Sequence, residues 1–171
     1  MQLLLVLLIQ ATRKKERKKK AMSSLYHISS ETKAKINKFR ISTGRAERIE
    51  VLPIKIQPKP SYEIVIDEDE QEELDELESL GDLAEVLPDH APRYLLMAYP
   101  ITTRDGIKKT PLMLLYWKPN AIVSQGLKML YAGALEMVRD TCGTSKLVEV
   151  SSGLEEEEDV EELRDQIEGT V

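Results

Sequence analysis

Apolar residues recur at helical spacing between Ser124 and Thr141 and predict one long amphipathic helix. The spacing of three and four residues brings them onto one stripe, formed by Leu127, Leu130, Tyr131, Ala134, Leu135 and Val138. Ser124 stands where an N-cap is expected, and Gly143 follows where a left-handed residue would end the helix. The opposite side carries a methionine and small residues among charges, which fits either an ordinary solvated face or a binding face.

The rest of the chain alternates strand and helix patterns. Residues 49–56 and 62–66 predict a hairpin, with a bulge or an edge position at Pro53. Residues 93–101 and 111–117 are almost continuously apolar, which is typical of central strands covered on both faces. Shorter patterns predict helices at 31–39, 77–87 and 160–167 and a strand at 147–150. The elements therefore predict an α/β (α+β) domain whose sheet is sandwiched by helices.

Charge is distributed unevenly along the chain. Residues 1–21 hold seven of the 24 Lys and Arg residues and one of the 30 Asp and Glu residues, so the remainder carries 17 against 29, a net charge of −12. An acidic body argues against nucleic acid as the main partner. Within it, we interpret the acidic run at 67–78 as a mobile loop or a frayed lead-in to a helix, because charge runs are usually solvated.

An N-terminal extension combines an apolar run, residues 1–9, with a basic run, residues 13–20. This order is the reverse of a secretory signal, and the apolar run is far shorter than the roughly twenty residues that span a bilayer. Three interpretations remain: a membrane-surface anchor, a partner-binding tail, or a start-site artefact with Met22 as the natural start. The sequence after Met22 favours the third. We expect residues 1–22 to be disordered or such an artefact, with a domain at 23–168 and a tail at 169–171.

The residue types supply no constellation for catalysis. The two histidines, His27 and His90, lie near the predicted chain start and in a PDHAP connector, and neither has an obvious carboxylate or nucleophile partner in the sequence. The single cysteine, Cys142, excludes an internal disulfide and favours a reducing compartment. Phosphate-binding glycine motifs, nucleophile elbows and zinc motifs are absent from the sequence. We therefore predict a protein that is not an enzyme and uses neither a cofactor nor a metal.

Several strings resemble the actin-depolymerising-factor homology (ADF-H) fold and, within it, the glia maturation factor family. In chain order they are NKFR at 37–40, LPDHAPRYLLMAY at 87–99, RDG at 104–106, PLMLLYW at 111–117 and MLYAGA at 129–134. The resemblance covers about residues 23–168 and implies one domain with a central mixed sheet and one long binding helix. It also implies a function. Members of this family bind the actin-related protein 2/3 complex, inhibit branch nucleation and promote debranching of actin filaments.

The resemblance further implies two contact surfaces. The first would meet an actin-related subunit and comprises Ser24, Leu25, Tyr26, Lys128, Met129, Ala132, Gly133, Glu136 and Arg139. The second would touch actin at the branch junction or the complex itself and comprises Lys38, Arg40, Lys108 and Lys109. We expect a cytoplasmic monomer at cortical actin patches, with neither nucleic acid nor a membrane as its partner.

Two alternatives stay open at this point. A cofilin-like protein would bind and sever filaments, but the cofilin helix has a lysine-rich C-terminal half, whereas this one reads LEMVRDT at 135–141. A membrane-surface adaptor, a different class of protein, would use the apolar and basic extension.

Overall fold

The computed structural model describes residues 2–23, 25–58, 60–119 and 124–169, and the side chains of all of these except 16–23. The helices are α1 (Gln2–Ser23), α2 (Ser30–Ser42), α3 (Glu68–Leu74), α4 (Leu83–Val86), α5 (Gln125–Cys142) and α6 (Glu157–Glu168), and a 3₁₀ turn at Leu80–Asp82 precedes α4. The strands are β1 (Tyr26–Ile28), β2 (Glu50–Gln57), β3 (Tyr62–Ile66), β4 (Arg93–Ala98), β5 (Ile101–Thr102), β6 (Lys108–Lys109), β7 (Leu112–Trp117) and β8 (Leu147–Val150).

Six of the strands form one mixed sheet in the order β1-β3-β2-β4-β7-β8. The outer pairs, β1 with β3 and β7 with β8, are parallel, and the three inner pairings are antiparallel. The continuously apolar strands β4 and β7 lie next to each other near the middle, as their patterns predict. Strands β5 and β6 form a separate short hairpin that connects them.

Helices cover both faces of the sheet, so the predicted sandwich is confirmed. Tyr94 and Leu96 of β4 pack with α2 and α5, whereas Leu95 and Met97 pack with α3, α4 and α6. Successive strand residues point to opposite faces, which explains why one uninterrupted apolar run supplies both cores.

Pro53 lies inside a central strand, so the prediction of a bulge or an edge position is wrong. The pairing of β2 with β4 runs without interruption from Glu50 to Ile54. The carbonyl of Pro53 accepts a hydrogen bond from the amide of Asp67, just beyond the last residue of β3. Because the nitrogen of a strand residue points to the same side as its carbonyl, the nitrogen of Pro53 faces the end of β3, and the β2–β4 ladder loses no hydrogen bond.

The acidic run at 67–78 is ordered structure, which corrects the interpretation as a mobile loop. Asp67 caps α3 by accepting a hydrogen bond from the amide of Glu70 at 3.2 Å. Leu74 and Leu77 are buried in the core beneath the run. Glu68, Asp69 and Glu70 also lie in the first turn of α3, where negative charge is stabilising.

The N-terminal extension is helical in the structure, in contrast to the expected disorder. Helix α1 contacts β1 and α5. Its apolar residues 3–9 are all exposed. Within the described part of the chain, no helix is long and apolar enough to cross a membrane. The assignment of Met22 as the natural start stays a prediction.

Candidate functional site

The long helix α5 begins and ends where its sequence predicts. The side chain of Ser124 accepts a hydrogen bond from the amide of Leu127 at 3.2 Å. At the other end Gly143 adopts φ 65°, and its amide donates to the carbonyl of Arg139 at 2.9 Å. A residue other than glycine would be strained in this left-handed conformation, so Gly143 fixes the end of the helix.

Tyr131 fixes the rotation of α5 against the sheet. Its hydroxyl accepts a hydrogen bond from the buried amide of Ile56 at 3.0 Å. Strand β4 begins at Arg93, one residue short of the position opposite Ile56, so no residue of β4 supplies a carbonyl there and the tyrosine hydroxyl accepts in its place. The hydroxyl of Tyr94 in turn donates to the carbonyl of Tyr131. Burial raises the pKa of Tyr131, which keeps its hydroxyl neutral.

A partly buried ionic cluster adjoins this anchor. The guanidinium of Arg93 donates from Nε to Glu70 at 2.8 Å, and its Nη1 atom lies 3.5 Å from the hydroxyl of Tyr131. Asp67 lies between two cations, with Oδ2 at 3.3 Å from the Lys55 ammonium and 3.6 Å from Arg93. The cluster therefore connects α3, β2 and β4 with the inward side of α5.

The two carboxylates of the cluster titrate in opposite directions. Burial and the hydrogen bond with Asp67 raise the pKa of Glu70 to about 7, against which the attraction of Arg93 is too weak. Burial would also raise the pKa of Asp67, but hydrogen bonds with Glu70 and the charge of Lys55 outweigh it and lower that pKa. Oε1 of Glu70 is buried and has no hydrogen-bond partner among the described residues, which is consistent with a group that is costly to ionise.

The outer side of α5 presents the predicted first contact surface. Met129 is 66% exposed, and Leu25, which precedes β1, is 52% exposed. Lys128, Ala132 and Glu136 are exposed, and Gly133 is half-buried. Because the residues at positions 132 and 133 have little or no side chain, a partner's backbone can approach this stretch closely. The exposed Met129 side chain could insert into an apolar cleft of a partner, because a methionine side chain is flexible and adapts to irregular surfaces.

Two residues predicted for this surface are placed differently, and a third lies outside the described residues. Tyr26 is only 7% exposed, and its hydroxyl donates to the carbonyl of Leu130 at 2.8 Å, so it is a core residue that positions α5. Arg139 is half-buried, and its guanidinium donates to the carbonyl of Ser145, which ties α5 to the loop before β8. Ser24 lies outside the described residues.

The predicted second contact surface is divided between two elements. Lys38 and Arg40 are exposed on α2, and the Arg40 guanidinium lies 3.0 Å from the position that a Cβ atom on Gly143 would occupy. Arg40 thus also covers the carboxyl end of α5, where a cation is favourable. Lys108 and Lys109 are exposed on β6. This hairpin connects to the loop after α2, because Thr110 Oγ1 donates to the carbonyl of Ala46 at 3.0 Å.

A groove that was not predicted from the sequence lies between the ends of α2 and α5. Its volume is about 420 Å³, and it is lined by Asn37, Arg40, Ile41, Leu112, Gly143, Thr144 and Ser145. Ile41 is 82% exposed at its rim, directly after the NKFR string. The sequence offers one signal for this groove, an isoleucine just beyond the predicted helix at 31–39. The groove itself forms only with residues 143–145, which are distant in sequence.

Comparison with known proteins identifies the class to which this fold and surface belong. The family of cofilin/tropomyosin-type actin-binding proteins matches residues 25–168. The chain therefore belongs to the cofilin/tropomyosin-type actin-binding protein family and consists of a single ADF-H domain with an N-terminal extension.

Individual relatives agree with the predicted branch of that family. The chain is 67% identical over 147 residues to Protein AIM7 of Saccharomyces cerevisiae, covering 86% of this chain and 99% of the relative. It is similar to the solution structure of glia maturation factor from Caenorhabditis elegans, with a TM-score of 0.62 and 28% identity over 81% of this chain and 94% of that one. Actin depolymerization factor 2 of Plasmodium berghei shares the fold, with a TM-score of 0.59 and 19% identity over 85% of this chain and 95% of that one. The resemblance to glia maturation factor is thereby confirmed.

Replacing Tyr131 with phenylalanine tests the anchor of α5. Tyr131→Phe leaves the buried amide of Ile56 without an acceptor and is expected to lower the free energy of unfolding by about 1–3 kcal/mol in chemical denaturation. Tyr94→Phe is the matched control. The Tyr94 hydroxyl donates to the carbonyl of Tyr131, which already accepts a hydrogen bond within the helix. We therefore expect Tyr94→Phe to lower the free energy of unfolding by less. Equal losses for the two variants would contradict the assigned role of Tyr131.

The pKa of Glu70 predicts a pH dependence of stability. A carboxyl whose pKa rises from 4.5 when unfolded to about 7 when folded binds its proton more tightly in the folded state. Its contribution to stability is therefore complete below the unfolded pKa and is lost as the pH rises to the folded pKa. We expect Glu70→Gln to remove this decline, worth roughly 3 kcal/mol, whereas Glu72→Gln, at an exposed position of the same helix, should keep it. Parallel stability–pH curves for both variants and the unchanged chain would refute the assignment.

Proposed function

We propose that this protein binds the actin-related protein 2/3 complex at actin branch junctions in the cytoplasm, inhibits branch nucleation and promotes debranching at cortical actin patches. The observation that carries the proposal is the exposed patch on α5 around Met129, Ala132 and Gly133, held outward by Tyr131. It coincides with the MLYAGA string, which carries the resemblance to glia maturation factor. Binding through such a patch requires no covalent step.

The charges of α5 favour this function over filament binding and severing of the cofilin type. Glu136 and Asp140 are exposed on the C-terminal half of the helix, where the cofilin pattern has lysines. The one arginine of that half, Arg139, donates to the carbonyl of Ser145 and is only half-exposed. An acidic filament would therefore meet exposed carboxylates there, which disfavours association.

The basic end of α2 supports a second point of attachment. Lys38 and Arg40 are exposed on α2, and Arg40 lies beside the carboxyl end of α5, so the α2 part of the second surface is on the same side of the sheet as the first surface. Cations there complement an acidic actin subunit next to the actin-related subunit. A branch junction that dissociates must have at least two arrangements, one that holds the daughter filament and one that releases it. A ligand shifts the equilibrium between them only if it binds one arrangement with higher affinity, and two contacts made at once would provide that difference.

Substitution of Met129 tests the first contact. We expect Met129→Glu to reduce the rate of branch dissociation tenfold or more in single-filament imaging, because it places a charge in an apolar contact. Met129→Leu keeps the apolar volume and should retain most of the activity. Thermal unfolding should be unchanged in both variants, since the side chain is exposed. Undiminished debranching by Met129→Glu would contradict the proposed contact, and fragmentation of unbranched filaments by the unchanged chain would favour a cofilin-like function.

A pair of charge reversals on α2 tests the second contact. Lys38→Glu should slow debranching about three- to tenfold, and added salt should slow this variant less than the unchanged chain, because the attraction that salt screens has been removed. Lys33→Glu introduces the same change at another exposed position of α2 and should have little effect. We choose Lys38 for the substitution because Arg40 also covers the end of α5, so that replacing Arg40 could change stability as well as binding. Similar activity of the two variants would argue against the second contact.

A further inference from the structure

The apolar end of α1 is the largest uncovered apolar segment in the described part of the chain. Seven consecutive residues, Leu3 to Ile9, are between 45% and 79% exposed. The other exposed large apolar side chains among the described residues stand singly in the sequence, namely Leu25, Ile41, Ile107 and Met129. The extension thus presents a surface that the two proposed contact surfaces do not use.

This segment is apolar around its whole circumference. Consecutive residues of an α-helix are about 100° apart, so seven of them cover every side of nearly two turns. Contact with one neighbouring helix would bury only one side. Helix α1 contacts α5 and β1, yet residues 3–9 stay exposed. A medium that surrounds the helix, such as lipid hydrocarbon, would cover the segment completely.

A block of positive charge follows the apolar segment. Arg13, Lys14 and Lys15 are exposed. In the sequence, residues 13–20 hold seven cations and one acidic residue. At a rise of 1.5 Å per residue, the first cation lies about 15 Å along the helix from Leu3, roughly the depth of one leaflet. Between them, Thr12 donates its hydroxyl to the carbonyl of Leu8 at 2.8 Å and so needs no water as acceptor.

We propose that α1 anchors the domain to an anionic membrane surface. The apolar turns enter one leaflet, and the cations contact the phosphate and carboxylate groups of the lipid heads. Neither a short apolar segment nor a basic segment alone binds a membrane firmly, whereas the two together do. Because α1 also contacts α5, anchoring holds the α5 face close to the lipid surface. This proposal is independent of the proposed function, since it uses none of the residues of either contact surface.

Vesicle flotation of the full chain tests the anchor. The unchanged chain should float with mixed phosphatidylcholine–phosphatidylserine vesicles and lose binding as salt increases. The variant Leu4→Glu, Leu8→Glu should not float. The variant Arg13→Gln, Lys14→Gln, Lys15→Gln should partition on the order of a hundredfold more weakly, since each cation contributes about a factor of five. Ile41→Glu is the matched control, with the same charge introduced at an exposed isoleucine of the domain, and should float like the unchanged chain.

Four outcomes would overturn the proposal. The first is failure of the unchanged chain to float with anionic vesicles at low salt. The second is undiminished flotation of the Leu4, Leu8 variant, which would assign lipid binding to the domain. The third is a dimer in light scattering without lipid that the same variant dissociates, since a second copy would then cover the apolar turns. The fourth is protein from its own cells whose N-terminal peptides all begin at Met22.

Discussion

The hydrogen bond between the Tyr131 hydroxyl and the Ile56 amide determines how the long helix sits on the sheet. The hydroxyl accepts from a strand amide that the neighbouring strand leaves unpaired. Rotation of the helix would therefore leave this buried amide without a hydrogen-bond acceptor. The bond from Tyr26 to the carbonyl of Leu130 holds the adjoining residue. Together they turn Met129 and Ala132 towards solvent. The rotational position of α5 therefore decides which of its side chains pack in the core and which are available to a partner.

The helices on the two faces of the sheet differ in the sign of their charge. Helix α2, on the layer of α5, carries four cations and one acidic residue, whereas α3 and α6, on the other layer, are dominated by Asp and Glu. An acidic partner would repel the α3 and α6 side and attract the end of α2. The net negative charge of the domain is thus compatible with an acidic partner, provided that the basic end of α2 faces it.

Most of the fold could be predicted from sequence because its signals are local. The caps at Ser124 and Gly143 and the two apolar strands specify their elements directly. The errors concern features that depend on distant residues. Pro53 is tolerated in a central strand because of the end of β3, and the acidic run folds because Leu74 and Leu77 reach a core built by later strands. Likewise, the buried position of Tyr26 and the hydrogen bond of Arg139 depend on tertiary contacts that helix periodicity does not contain.

The central claim is that the outer face of α5 contacts an actin-related subunit, and site-specific cross-linking tests it most directly. A photoreactive amino acid placed at the position of Met129 would be compared with one at Glu161, an exposed residue of α6 on the other layer. With branched actin networks, the account predicts a cross-link to an actin-related subunit from the first position and none from the second. A cross-link from position 129 to actin alone, obtained equally with unbranched filaments, would contradict it.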